Sequence, residues 1–583
     1  MATTSGTSMS HVGSIPLVEE GRLRRHIGLV GLLFTGVGSI IGSGWLFGAL
    51  NASRLAGPAA ILSWLIGGGM ILLIGLVYAE LGTMFPVSGG VVRFPHWSFG
   101  SFASFTMGWV TWIAAATVAP IEVEGALQYA THYASWLTTE SNGVQVLTTR
   151  GYAIAVVGMA LFCLVNIIGV RTFARLNNVL VWWKLAIILL VVAAFLLSTF
   201  HPANFHSHGF APAGGHGVFS SIATAGIVFS FLGFRQGVEL AGESDNPRRN
   251  VPIAVVGSVL ITMFIYVLLQ VAFIGSIRPS DIAAGWTGLS FTGDAGPLAA
   301  IATILGLGWL ATLLYVDAVV SPADTGLIFT TATARISYAM GRNGNAPGSL
   351  SSVSSRGVPW VSVALAFVMG CVVFLPFPGW QKLVGFITSA TVLSFGSGPL
   401  VLAAMRRQLP DQQRPFRLPG GHLIPLLAFF SSNMIVYWAG WDVNWKLFVT
   451  ILLGFALLAV HRATSRGERP AMDWRGGWWL PPWFAALALV SWLGSYSSDG
   501  ADHGQLGVLG FGWGFAVMGV LSLAVYGVAM RSRLPGGRTA ELITGSAPRT
   551  RSTGQTHPIT QTHPTPGTGI PAGGDSPAGA GAG

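Results

Sequence analysis

Glu122, Glu124, Lys184, Arg235, Asp317 and Asp324 all fall inside long apolar runs of this 583-residue chain. A charge at membrane depth costs about 2.5–3.5 kcal/mol on insertion scales, so each of these groups must face a cavity or a partner. A buried lysine there can gain and lose a proton as its surroundings change, which is one reading of Lys184. The other is snorkelling to the inner edge, about two helical turns away. Arg235 has the fork geometry that clasps a carboxylate, either on a ligand or on Glu239, one turn along the same helical face. Each of the four acids could carry a proton, ligate a cation or stand as a static partner for Arg235. Asp317 and Asp324, seven apart, share a face interrupted by Pro322.

The elements that must position these groups are interrupted by glycine. Gly38-Ser39-Ile40-Ile41-Gly42-Ser43-Gly44 and Phe229-Ser230-Phe231-Leu232-Gly233-Phe234 break two stretches that are otherwise apolar enough to be helices. A helix broken inside lipid leaves backbone groups unpaired at several kcal/mol each, unless a ligand, an ion or water satisfies them. Amides at Gly42, Ser43 and Gly44 would stand at the positive end of a half-helix and hold a carboxylate. Carbonyls near Ile40 and between Phe229 and Leu232 point the other way and suit an ammonium. An α-amino acid carries both charges. The competing reading is close helix packing, since Gly38 and Gly42 also make a G-x-x-x-G pair.

Composition sets the surroundings. The chain is 52% hydrophobic and 9% charged, against about 25% charged for a soluble domain. Runs of roughly 20 apolar residues recur about 14 times, and their lack of strict alternation excludes an outer-membrane barrel. The pattern predicts an all-α integral membrane protein built on a five-plus-five inverted repeat. Runs one and six are the broken ones, five apart, and would be unwound at mid-membrane. The expected layout is a disordered cytoplasmic segment over 1–21, a transport core over 22–410 (runs 1–10), accessory spans 11–14 over 411–532, and a disordered cytoplasmic tail over 533–583. Of 31 basic residues only Arg54, Arg150, Arg278, Lys382 and Lys446 fall in outer loops, which places both termini in the cytoplasm. The net charge of +10 follows from that topology, so the lipid bilayer, not nucleic acid, is the expected partner. Cys163 and Cys371, inside apolar runs, read as buried thiols. His201, His206, His208 and His216 crowd one outer loop without the fixed spacing of a metal site. No phosphate loop or catalytic set is present, so neither an enzyme nor a cofactor is expected, and nothing sets an oligomeric state.

Four strings carry a resemblance: Gly38-Ser-Ile-Ile-Gly-Ser-Gly-Trp45, Tyr78-Ala-Glu-Leu-Gly-Thr-Met-Phe-Pro-Val-Ser-Gly-Gly90, Glu243-Ser-Asp-Asn-Pro-Arg-Arg-Asn-Val-Pro252 and Ala334-Arg-Ile-Ser-Tyr-Ala-Met-Gly-Arg-Asn-Gly-Asn-Ala-Pro347. In this order they resemble the amino acid-polyamine-organocation (APC) permease superfamily. Phe229–Phe234 followed by Arg235-Gln236-Gly-Val-Glu239 is similar to its aspartate:proton symporter subgroup. The resemblance implies a leucine-transporter-type fold, substrate carboxylate at Ser43 and Gly44, and amine at Ile40, Phe229 and Leu232. It further implies a bulky gate at Phe329 and proton coupling through Lys184. The implied function is amino acid import across the plasma membrane by proton symport with alternating access, the substrate being acidic if Arg235 meets a second carboxylate. The alternatives are an obligate exchanger, in which Lys184 is a fixed charge standing in for an ion, and a sensor that binds without transporting. Members usually have 12 spans, so spans 13 and 14 are a departure.

Overall fold

The computed structural model describes residues 27–545 apart from 88, 142, 169, 292–295, 343–345, 355–357, 465–471 and 499–502, with side chains at 170–176 and 342 also outside the description. The segment expected to be disordered over 1–21, and the tail from 546 onward, lie outside the described residues.

The first apolar run is two helices. α1 (Leu29–Ile40) stops where Ile41 leaves helical geometry, and α2 (Gly44–Ala56) begins after Ser43. Gly57, at φ 60, turns the chain into α3 (Ala60–Met84). A short α4 (Gly90–Phe99) leads to α5 (Ser101–Ala116) and α6 (Val118–Ala130). These two part at Thr117 because Pro120 has no N–H for the carbonyl four residues back. The Thr117 hydroxyl donates back to the Ile113 and Ala114 carbonyls, both at 3.0 Å.

An antiparallel hairpin, β1 (Thr138–Ser141) with β2 (Val144–Leu147), follows in register Thr138 to Leu147. Gly143 at φ 75 lets two four-residue strands turn between α6 and α7, a small addition to a mostly helical chain. Then come α7 (Thr149–Ile168) and α8 (Val170–Leu197).

The sixth run also breaks, though not where the glycine count indicated. α9 (Gly214–Thr224) ends before Gly226, whose φ of 93 only glycine adopts readily. Phe229–Arg235 is not unwound; it tightens into a 3-10 helix that runs into α10 (Gln236–Glu239), bent by 48° from α9. Next are α11 (Pro247–Ser276), α12 (Pro297–Ile304), α13 (Gly308–Arg342), α14 (Trp360–Val373) and α15 (Trp380–Gln408).

The chain ends in α16 (Leu423–Trp438), α17 (Trp441–Thr464), α18 (Trp474–Gly477), α19 (Leu480–Leu493), α20 (Phe511–Ser532) and α21 (Gly536–Thr544). α21 corrects the tail boundary: it packs on α4 and α15 with Ile543 buried. The side-chain amide of Gln408 pins its lead-in by donating to the carbonyls of Ser98 (2.9 Å) and Leu534 (2.8 Å).

Among the described residues nine helices are long and apolar enough to cross a bilayer, ten if the bent pair is one span, and α1, α14 and α16 are shorter apolar helices. The most apolar window of α15 is 100% buried and that of α5–α6 94%, against 28% for α7. α15 and α5–α6 therefore sit at the centre, while α7 turns leucines and valines outward as lipid permits. α16 packs against α15 and α3, so core and accessory helices share one compact unit ending at Gly545.

Candidate functional site

A narrow cavity of about 10 Å³, enough for one water, lies between the two broken segments. Its walls come from α1, α5–α6, the 3-10 segment, α13 and α15. Ile40, Glu122, Phe229, Leu232, Gly233, Arg235 and Phe329 line it, as do Ser39, Ala114, Val118, Thr325 and Thr391. The second group was not picked out from the sequence. Lone hydroxyls and small apolar residues leave no mark in a long apolar run.

The glycines of the breaks let backbone meet backbone. A Cβ on Gly233 would sit 2.3 Å from the Ser39 carbonyl carbon and 2.4 Å from the Ile40 nitrogen. One on Gly44 would be 2.2 Å from Ser230 Oγ, and one on Gly42 2.6 Å from Glu122 Oε1. The two broken segments are thus in direct contact, and α6 presses a carboxylate onto the first.

That carboxylate caps the head of α2. Ser43 N–H, at the start of α2, donates to Glu122 Oε2 at 2.7 Å, and Trp380 Nε1 donates to Ser43 Oγ at 2.8 Å. Glu122 Oε1 has no hydrogen-bond partner among the described residues, nor does Ser39 Oγ at the cavity wall. The Ile40 carbonyl is not free: Gly42 N–H (3.1 Å) and the Tyr266 hydroxyl (3.4 Å) both donate to it.

Lys184 does not snorkel. It is fully buried, with Nζ 2.6 Å from Asp324 Oδ2, and it donates to the Gly38 carbonyl (2.9 Å) and Thr325 Oγ1 (3.2 Å). One ammonium therefore ties α8 and α13 to the last turn of α1. Arg235 pairs with Glu239 (Nε to Oε1 3.0 Å) and lies 5.7 Å above the Phe329 ring, a cation–π contact.

Of the three roles open to the four acids, the static partnership with Arg235 is corrected: Arg235 pairs with Glu239, and the four are placed otherwise. Glu122 caps α2 and Asp324 holds Lys184. Asp317 Oδ1 accepts from Trp183 Nε1 (2.9 Å) and Ser321 Oγ (2.7 Å). Glu124 is buried with neither oxygen hydrogen-bonded among the described residues. Glu80, near the C-terminal end of α3, pairs with Arg406 in the last turn of α15. Of the four histidines expected in one loop, His216 lies instead in the first turn of α9 and stacks on Tyr496, ring centres 4.2 Å apart.

A multi-pass helical membrane protein with a closed polar cavity between two broken helices has the form of a permease. Residues 27–494 match the family model described as amino acid permease, and the chain belongs to that family, within the APC superfamily. Among its relatives is the glutamate/serine transporter AimA of Bacillus subtilis (strain 168), 38% identical over 518 residues, which cover 88% of this chain and 94% of that one. The aspartate-proton symporter of the same organism is 36% identical over 520 residues, covering 89% and 98%. The branched-chain amino acid permease BcaP, also from that strain, is 26% identical over 456 residues, covering 76% and 94%.

Proposed function

We propose that this permease carries an acidic amino acid into the cell together with a proton. The observation that carries the reading is Glu122 on Ser43: the amide at the head of α2 already holds a carboxylate at 2.7 Å. A substrate α-carboxylate would take that seat as Glu122 accepts a proton and withdraws. Gly44, next along the same half-helix, would add its amide. The amine would lie toward Ile40, Phe229 and Leu232, and Arg235 would swing from Glu239 to the substrate's second carboxylate beneath Phe329. Two relatives at 38% and 36% identity, one named for glutamate and serine and the other for aspartate, support this substrate class through glutamate and aspartate.

Lys184 is the second coupling group. Loss of its proton would release the Gly38 carbonyl and untie α8 and α13 from the α1 break. Coupling would then act at two steps: Glu122 on binding, and Lys184 with Asp324 on the change of access. The frame for this motion is a leucine-transporter-type five-plus-five repeat, supported by breaks in the first and sixth of about 14 runs, with both termini cytoplasmic and the protein in the plasma membrane.

One observation favours exchange instead. The Lys184 ammonium is saturated by Asp324, Gly38 and Thr325, as a fixed charge replacing an ion would be. Uptake of labelled aspartate into empty proteoliposomes, with and without an inward proton gradient, separates the two. Symport requires stimulation by the gradient; dependence on internal substrate with no stimulation would establish exchange and end the symport reading.

A further inference from the structure

Trp380, the first residue of α15, is fully buried and touches both broken segments. Besides donating to Ser43 Oγ, its indole lies 4.8 Å from the Phe47 ring on α2 and 6.0 Å from that of Phe229 at the cavity wall, centre to centre. The hinge of the sixth run rests on it as well. A Cβ on Gly226 would come within 2.6 Å of Cη2, so the glycine that frees the backbone at φ 93 also makes room for the indole.

From Trp380 a file of rings leads away from the cavity. Phe47 meets Tyr129 at 5.4 Å, Tyr129 meets Tyr315 at 6.1 Å, and Tyr315 meets Tyr133 at 5.2 Å. α6 gives the direction: Glu122 lines the cavity, Tyr129 lies about 10 Å further along the axis, and Tyr133, past the helix end, is 70% exposed. The positive-inside pattern makes that end the outer one. Toward the inner side Arg235 at the wall pairs with Glu239, whose side chain is already 16% exposed, so the thicker seal is the outer one.

The indole is anchored from behind by the β1–β2 hairpin. Leu147 N–H donates to the Pro378 carbonyl at 2.7 Å, and Gly379 is pressed so closely on β2 that a Cβ there would be 2.2 Å from the Gln145 carbonyl oxygen. Thr138 Oγ1 of β1 is hydrogen-bonded to Thr131 Oγ1 and to Gln145 Oε1, both at 2.8 Å, which ties the hairpin to the end of α6. The start of α15 is therefore held on two sides. α2 and α9, by contrast, each join the rest of their run through a break.

We propose that Trp380 is the post on which the outer gate closes: α2 and α9 swing onto its indole to shut the cavity and leave it to admit substrate. Ser43 connects this post to the binding chemistry, since its hydroxyl accepts from the indole while its amide donates to Glu122. An exchange of carboxylates at that amide is then felt at the gate. The inference rests on the alternating-access reading above, but not on the identity of the substrate or on proton coupling.

The test measures access to the cavity from each face, with no substrate and no gradient. Ser39, whose hydroxyl at the cavity wall has no partner among the described residues, becomes the reporter as Ser39→Cys in the full chain carrying Cys163→Ala and Cys371→Ala. Right-side-out and inside-out membrane vesicles are treated with a charged, membrane-impermeant methanethiosulfonate. Trp380→Phe keeps a ring but loses the indole N–H, and should speed labelling from the outside about fivefold, the worth of one hydrogen bond. Trp380→Ala also gives up the ring contacts and should speed it about a hundredfold. Labelling from the inside should be unchanged or slower, because a carrier open outward is shut inward. Acceleration from both faces would show a loosened fold and overturn the proposal, as would outside rates equal to those of the parent. Should Trp380→Ala fail to fold, Phe47→Ala removes the ring that rests on the indole and is held to the same outcomes. Failure here leaves the symport reading to the proteoliposome assay, and failure there leaves this one to stand on labelling.

Discussion

Replacing Glu122 by glutamine keeps the shape of the side chain and an acceptor oxygen for Ser43 N–H, but removes the negative charge at the head of α2. If the substrate carboxylate must displace that charge from a 2.7 Å hydrogen bond, the variant offers a weaker competitor for the seat. Trading a charge-assisted for a neutral acceptor is worth about 1 kcal/mol. The α2 macrodipole, which no longer favours the incumbent, adds about 0.5–1 kcal/mol. Together these predict apparent aspartate binding about ten- to thirtyfold tighter in Glu122→Gln. The pH profile carries the sharper test. In the wild-type protein a proton bound with each substrate weakens the Kd by up to about tenfold per unit of rising pH. In the variant, with no carboxylate to protonate, the profile should be flat. Ligand-dependent thermal shift across pH 5.5–8 reads both quantities. Weaker binding by the variant, or an unchanged slope, would show that Glu122 is a fixed cap and that the seat lies elsewhere.

Arg235→Ala should weaken aspartate binding about ten- to a hundredfold, the loss of a charge-assisted pair, and leave alanine nearly untouched; equal losses in a competition assay would reduce Arg235 to a brace for Glu239. Lys184→Ala should abolish the pH dependence of uptake while leaving that of binding. Because it strands Asp324, at about 3–5 kcal/mol, the Lys184→Ala, Asp324→Asn double variant is the folded comparison, and pH-dependent uptake by it would remove Lys184 from coupling. Gly233→Ala drives a methyl into the Ser39–Ile40 backbone, where no side chain can yield, so a loss of at least about 1–3 kcal/mol in stability and of most uptake is expected; normal uptake would show that the segments separate freely. Burial holds His96 and His422 below the usual histidine range, with Arg538 acting the same way on the first and Arg407 and Arg406 on the second. The unfolded chain therefore takes up protons first as pH falls through about 6.5, and the folded state loses stability below that point, keeping all of it above. A His96→Gln, His422→Gln variant should lose less melting temperature between pH 7.5 and 5.5, and parallel curves would refute the assignment.

How far the residues announced these contacts depended on whether the partner lay along the same element. Arg235 and Glu239 are one turn apart, so their pair follows from helical spacing, and the break at Ile41–Ser43 follows from the glycines around it. The hinge at Gly226 was missed because a single glycine in an apolar run also serves packing; only its φ of 93 distinguishes it. Glu122 on Ser43 spans 79 residues, and Lys184 on the Gly38 carbonyl 146. No local period records which of several buried acids a distant amide or ammonium will meet. The same holds for Trp380, whose indole steadies Ser43 from 337 residues away. The sequence could say that intramembrane charges need partners; tertiary packing decided which.

The closed cavity makes sense of those choices. With about 10 Å³ of space, Gly233 against the Ser39–Ile40 backbone and Gly44 against the Ser230 side chain, the two broken segments pack directly on one another. Three contacts hold that packing: Glu122 on the Ser43 amide, Tyr266 on the Ile40 carbonyl, and Glu239 on Arg235. On the proposed reading, each marks a position where an acidic amino acid, or the motion that admits it, would displace an existing interaction. Binding is then an exchange of like for like, with small net enthalpy at each contact, and selectivity resides in the differences. A substrate lacking the second carboxylate leaves the Arg235–Glu239 pair intact and forgoes only that replacement. One lacking the α-carboxylate cannot relieve Glu122 at all. Discrimination should therefore be steep at the α-carboxylate and graded at the side chain, the pattern expected of a permease that tolerates more than one amino acid.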